Sequence, residues 1–131
     1  MEAAYLVADT DVVIDHLRDR NVLLQAALLR FSVAVTAITV YEILAVSQLS
    51  ERQIQKIDRL LSLVYVLPLA SESAAQAAQI YRQLASQGQL IGFPDILIAG
   101  ICLAHDLPLL TRNQAHFERI PDLVLFPLDT L

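Results

Sequence analysis

The sequence predicts an α/β fold, a three-layer α/β/α sandwich built on a parallel sheet of about five strands. Three observations predict it. Short runs rich in strand formers alternate along the chain with segments of helical periodicity. The first strand candidate, Tyr5 to Ala8, is uniformly apolar, as parallel strands tend to be. One helical segment, Pro94 to His105, is nearly all apolar and so must be buried on most sides. A chain of 131 residues suits one compact domain spanning 1–131.

Taken in order, Tyr5-Leu-Val-Ala8 is the first strand and stops at Asp9. Helical patterning runs from Val12 to Leu29 with a break around Asp19 to Asn21. Ser32 to Thr36 is the second strand. Thr39-Val-Tyr-Glu42 has the capping-box spacing and predicts a helix from there to about Val46. Ser50-Glu-Arg-Gln53 has it again, before a helix with Ile54, Ile57, Leu61 and Val64 on one face. Tyr65 to Leu67, ahead of Pro68, is the third strand. Ser71 to Gln87 carries Ala74, Ala77, Ala78, Tyr81, Leu84 and Ala85 at helical spacing, with Gly88 placed to end it. This Ala-rich stripe predicts close approach to a neighbouring helix. After the apolar helix come two last strands, Leu107 to Thr111 and Leu123 to Phe126.

Hydrophobic residues make up 56% of the chain and charged residues 18%, so a large core is expected and disorder is not. The apolar surplus also suits burial against a second chain. The net charge of -5, with eight Arg and a single Lys (Lys56), argues against nucleic-acid affinity driven by bulk charge. It leaves room for carboxylates that hold divalent cations, which bring positive charge to a phosphate. The lone Cys102 lies in an apolar stretch, reads as a core residue and fits a reducing compartment, the cytoplasm. Asp9, Asp11 and Asp15 interrupt the N-terminus where a signal peptide's apolar core would lie. The longest apolar run, Ile96 to Ala104, falls well short of the roughly 20 residues a membrane span needs.

The acidic residues fall where ligands bind in open α/β sheets, beyond the carboxyl ends of the strands. Asp9 closes the first strand, with Asp11 two residues on. Glu42 follows the second strand, Asp95 opens the apolar helix, and Thr111, Arg112 and Asn113 follow the fourth strand. Clustered carboxylates repel one another, and a hard divalent cation relieves the repulsion. His16, His105 and His116 are scattered and no zinc spacing exists. Each residue taken alone also has an ordinary role. Asp9 suits a strand end, Glu42 caps its own helix, Asp95 complements a helix dipole and Asn113 makes a turn. By the same reasoning Asp11 belongs to a turn, Asp15 to a solvated helix face, and His116 to packing or surface. The case rests on their combination.

That combination resembles the PIN-domain ribonucleases, in the form found in VapC-type toxins. Leu6-Val-Ala-Asp9-Thr10-Asp11-Val-Val-Ile-Asp15 is similar to the family's opening block, a strand ending in Asp-Thr-Asn. Thr36-Ala-Ile-Thr-Val-Tyr-Glu42-Ile is similar to the second and Gly92-Phe-Pro-Asp95-Ile-Leu-Ile-Ala99 to the third. Leu110-Thr111-Arg112-Asn113-Gln-Ala-His116-Phe117 is similar to the fourth. The resemblance implies an acidic triad of Asp9, Glu42 and Asp95, with Asp9 and Asp95 holding Mg²⁺ or Mn²⁺. Thr10 and Thr111 would orient carboxylates or water, and Arg112 would meet RNA phosphate. Asn113 stands where some members carry a fourth acid, which weakens a second metal site. Asp11 replaces the usual Asn and either adds a ligand or raises local negative charge. The implied activity is hydrolysis of RNA phosphodiesters by a metal-activated water. The implied partners are a structured RNA such as tRNA, a cognate antitoxin and a second copy of the chain.

Two rivals are weighed against it. Asp9-Thr-Asp11 also fits the Asp-x-Asp of haloacid-dehalogenase-like phosphatases, but those need a site lysine and a late acidic pair. Lys56 is the only Lys, and no Asp-Asp pair occurs. The other rival, a non-catalytic PIN-like binding module, would be supported by loss of a triad acid, and all three are present.

Overall fold

The structure, a computed structural model, describes residues 5–131. Four parallel strands form one sheet in the order β3-β2-β1-β4: β1 (Tyr5–Ala8), β2 (Ser32–Thr36), β3 (Tyr65–Leu67) and β4 (Leu109–Leu110). Tyr5 pairs with Ser32, Val7 with Leu109 and Ala34 with Tyr65. The expected fifth strand, Leu123 to Phe126, is reduced to a single parallel bridge between Leu109 and Leu125. The reason is local. β4 is only two residues long, so its outer edge offers one site for pairing, and Leu109 spends both backbone groups there on Val124 and Phe126.

The helices are α1 (Thr10–Leu17), α2 (Leu23–Arg30), α3 (Ala37–Leu44), α4 (Glu51–Leu61), α5 (Ser71–Ser86), α6 (Phe93–His105) and α7 (Gln114–Phe117). Strand side chains alternate between two cores, as the pleat requires. Leu6, Ala8, Val33, Val35 and Leu110 pack with Val12, Val13, Leu24 and Ile57 from α1, α2 and α4. Val7, Ala34 and Leu109 pack on the other face with Ala77, Leu84, Ile98 and Cys102 from α5 and α6. β1 and β4 are apolar because both faces are covered, while the edge strand β3 leaves Tyr65 and Val66 exposed, and the three layers agree with the sequence. Among the described residues no helix is long and apolar enough to cross a membrane.

Three local expectations are corrected. The helix after β2 starts at Ala37, because Thr36 rather than Thr39 is its cap: the Thr36 hydroxyl accepts from the Thr39 N–H at 3.2 Å. Glu42 is thereby released from capping duty. On α4 the Ser50–Gln53 capping box forms as expected, at 3.1 and 2.8 Å, but the buried residues are Ile57 and Leu60, while Ile54 is exposed. Leu61 and Val64 are partly buried against the same core, so the inward face includes Leu60 and excludes Ile54. On α5 the inward residues are Ser73, Ala77, Ile80 and Leu84, leaving Ala74, Ala78, Tyr81 and Ala85 outside. The close approach expected of α5 does occur, at Ala77 against Gly100 of α6, where an added Cβ would lie 2.8 Å from the Ala77 Cβ. Gly88 ends α5 at φ +66°, a conformation that costs a residue with a Cβ more.

Candidate active site

Asp9 is delivered by the end of β1 and buried at 3% exposure. Its backbone is extended and its Oδ1 caps α1 by accepting from the Thr10 N–H at 2.8 Å. Its Oδ2 accepts from the Thr111 hydroxyl, beyond β4, at 2.8 Å. Thr111 in turn accepts from the Asn113 N–H at 3.0 Å, which folds the chain after β4 into a tight turn. The parallel order thus sets the first and last strands side by side and puts both residues at the carboxyl edge of the sheet.

Glu42 reaches the same edge from the second full turn of α3. Its Oε1 accepts from the Thr10 hydroxyl at 2.7 Å. Thr10 has one hydroxyl proton and spends it on Glu42, so the Thr39 hydroxyl, 2.8 Å away, donates to Thr10. A relay Thr39 to Thr10 to Glu42 therefore fixes the carboxylate. Asp95 lies in the first turn of α6, where Gly92 and Pro94 open the helix. Its Oδ2 stands 3.9 Å from His116 Nδ1, and that nitrogen is 2.8 Å from the Asn113 side-chain amide.

Electrostatics bind these groups together. Burial, then the charge of Asp11, then Asp95 push Asp9 up to about 7, against the Thr111 hydroxyl and the Thr10 N–H. Asp95 is raised by burial and then by Glu42, with His116 pulling the other way. Asp11 is raised chiefly by burial, opposed by the Arg112 and Val12 N–H groups. Its Oδ2 accepts from the Arg112 N–H at 3.1 Å, while its Oδ1 is buried with no hydrogen-bond partner.

These observations test whether a divalent cation fits. The donors are carboxylate and hydroxyl oxygens, the set a hard cation prefers. A buried acid oxygen without a donor and acids that resist ionisation are both what a missing positive charge leaves behind. Among the described residues no group of three or more Asp, Glu, His or Cys side chains is gathered so as to hold a metal ion between them. Mg²⁺ is commonly held by one or two carboxylates and its own waters, so an open shell suits it. The residues fit.

The seven expected site residues, Asp9, Thr10, Glu42, Asp95, Thr111, Arg112 and Asn113, lie at this edge, but the neighbouring Asp15 differs from expectation. Asp15 is not on a solvated face: it is 4% exposed and paired with the Arg112 guanidinium and with Asn21 Nδ2, the latter at 2.7 Å. A buried carboxylate requires such partners. The Arg112 side chain is consequently turned onto Asp15. Thr39 and His116 were absent from the expected set. His116 had a signal in its one-turn spacing from Asn113. Thr39 had none, because its role depends on Thr10, 29 residues away. Lys56, which the phosphatase reading needs at the site, instead binds Leu17 C=O at 2.8 Å and Asp19 at 3.1 Å.

Beside Glu42 runs a groove walled by Ile14, Leu17, Ile43, Val46 and Ile57 of α1, α3 and α4 and the connecting segments.

Comparison with known proteins agrees with this geometry. The PIN domain family matches residues 6–123. Ribonuclease VapC1 of Methanocaldococcus jannaschii is 30% identical over 92% of this chain and 85% of its own length. Among solved structures, VapBC-1 from nontypeable Haemophilus influenzae superposes with a TM-score of 0.85 at 25% identity, covering 95% of this chain and 98% of that one. VapBC-5 from Mycobacterium tuberculosis, a member of the VapBC family of toxin-antitoxin systems, gives 0.68 at 25% identity, covering 94% and 98%. With its acids gathered at the carboxyl edge of a four-stranded parallel sheet, the chain belongs to the PIN-domain family, among the VapC ribonucleases.

Proposed function

We propose that this chain is a Mg²⁺- or Mn²⁺-dependent endoribonuclease, the toxin of a toxin–antitoxin pair, with Asp9, Glu42 and Asp95 as its acidic triad. The observation that supports the reading is that Asp9, Glu42 and Asp95, from three separate elements, lie near enough for Asp95 to raise the pKa of Asp9 and for Glu42 to raise that of Asp95. When bound, a divalent cation supplies Lewis acidity toward a phosphate oxygen and a water. Asp9 and Asp95 are the residues that would hold it, with Asp11 Oδ1 a further oxygen available to it. A cation there would favour the ionised form of Asp9, offsetting the burial that now raises its pKa. Glu42, whose Oε1 is engaged by Thr10, keeps Oε2 to orient an attacking water and take its proton. Thr111 holds Asp9 to one rotamer, and Thr10 does the same for Glu42. Asn113 turns His116 toward Asp95, from where the imidazole reaches an approaching phosphate.

The substrate class is RNA, with structured RNA such as tRNA as the form the VapC resemblance indicates. The net charge of -5 makes the bound cation, rather than the bulk surface, the attraction for phosphate. The apolar groove beside Glu42 suits an antitoxin segment, which would close the site by lying across its entrance. A cytoplasmic setting accords with the single buried thiol, Cys102, whose pKa burial pushes up.

The test is RNA cleavage by purified protein with Mn²⁺, together with mapping of RNA breaks after induced expression in a bacterial host. Wild type should arrest growth and produce discrete breaks. Asp95→Asn should lower cleavage by at least about a hundredfold, which is roughly 3 kcal/mol of transition-state stabilisation, while remaining folded. Cleavage by Asp95→Asn at the wild-type rate would remove Asp95 from the mechanism.

A further inference from the structure

Asp15 takes no part in the chemistry above, yet it is a nearly inaccessible carboxylate within two turns of Asp9. Both of its structural partners bind Oδ2: Asn21 Nδ2 at 2.7 Å and Arg112 Nη1. Arg112 is half exposed, so its long side chain had a ready alternative in solvent. Instead it folds back across α1. Its own backbone N–H meanwhile binds Asp11 Oδ2 at 3.1 Å, and the preceding hydroxyl, Thr111, binds Asp9 Oδ2 at 2.8 Å. The segment 111–113 thus presents two donors to two acids of the site. Behind it lies a strand of only two residues, which by itself is a short anchor.

We infer that Asp15 is a positioning residue: through Arg112 it fixes the segment that aligns the Asp9 and Asp11 carboxylates, and so sets the affinity of the site for a divalent cation. The inference rests on the cation-dependent reading above. Outer partners that orient metal-binding carboxylates are commonly worth tenfold or more in affinity, and the Asp15–Arg112 pair has the geometry of such a partner. Asp15 has a structural task as well. Asn21, which donates to it, accepts from the Leu23 N–H at 3.1 Å and braces the turn between α1 and α2. The two tasks predict different measurements.

Mn²⁺ affinity of the full chain, measured by calorimetry for wild type, Asp15→Asn, Arg112→Ala and the double variant, separates them. Asp15→Asn should weaken Mn²⁺ binding by about tenfold. Arg112→Ala removes a positive charge from beside the site, and Coulomb's law alone predicts tighter cation binding. Positioning predicts the opposite sign, weaker binding of similar size, although the backbone donor to Asp11 is still present. The double variant should be no weaker than the poorer single one, because both break one tether. Arg112 is half exposed, so Arg112→Ala tests the inference independently of how well Asp15→Asn folds. Melting temperatures without metal report the structural task alone. If Arg112→Ala leaves Mn²⁺ affinity unchanged or raises it, the positioning role is wrong and the cation site stands. If wild type itself binds no Mn²⁺, the cation reading falls and this inference with it.

Discussion

Asp9 ends a strand, caps a helix and receives a hydroxyl from the far end of the chain, yet burial and the charge of Asp11 outweigh those bonds and raise its pKa. Its folded value of about 7 lies above its ordinary 3.8, so folding favours the protonated acid. The stabilisation this gives is complete below pH 4 and is lost as pH rises through about 7. Asp11 and Asp95 are shifted in the same direction and reinforce it. Denaturant unfolding in chelator should therefore show stability falling between about pH 4 and pH 7. Asp9→Asn should flatten that slope and be the more stable protein at pH 8, by about 1–4 kcal/mol. A slope unchanged in Asp9→Asn would mean that the acid is not held protonated by its surroundings. The places of Asp9, Glu42 and Asp95 in the fold were legible, because each follows a recognisable strand or opens a recognisable helix. The hydroxyl relay behind Glu42 was not, since Thr10 and Thr39 meet only after β1 and β2 have paired. Asp15 misled for a related reason: a carboxylate in a helical pattern reads as solvated until its partner, 97 residues on, is known.

At the scale of elements, the α4 capping box, the stop at Gly88 and the buried course of α6 follow from short-range chemistry and were legible. The start of α3 was not, because Thr36 and Thr39 are both good caps, and the one that closes the strand prevailed. The inward face of α5 was misread because alanine marks neither inside nor outside. Ser73 is buried there with its hydroxyl satisfied on the Ala70 backbone at 2.8 and 2.9 Å, while Ala74 lies in water. Contact between α5 and α6 is closest at Gly100. A methyl group there would meet Ser73 C=O at 2.7 Å and the Ala77 backbone nitrogen at 2.8 Å, and helix backbone has little freedom to yield. Gly100→Ala should destabilise by about 1–3 kcal/mol despite alanine's better helix propensity. Thermal unfolding checks this, and a neutral or stabilising result would show that the two helices separate easily.

For the whole molecule, the three layers and the parallel order were legible from alternation alone, and the fifth strand was lost only because its neighbour is two residues long. The apolar surplus has a visible outlet. Tyr81 and Phe93 are 51% and 71% exposed on the outer side of α5 and α6, beside Ala74 and Ala78. The expected homodimer would cover this surface. Sedimentation should give a dimer for wild type and a monomer for Tyr81→Glu, and a variant that stays dimeric would move the contact elsewhere. The bond from Thr111 to Asp9 carries a consequence for timing. It spans 102 residues, and it joins the first strand of the sheet to the last. During synthesis the ribosome makes all three triad acids well before it makes the hydroxyl that aligns the first of them. A growing chain, or one cut ahead of β4, lacks the hydroxyl that holds Asp9, so that carboxylate takes its final setting only when the end of the chain has folded.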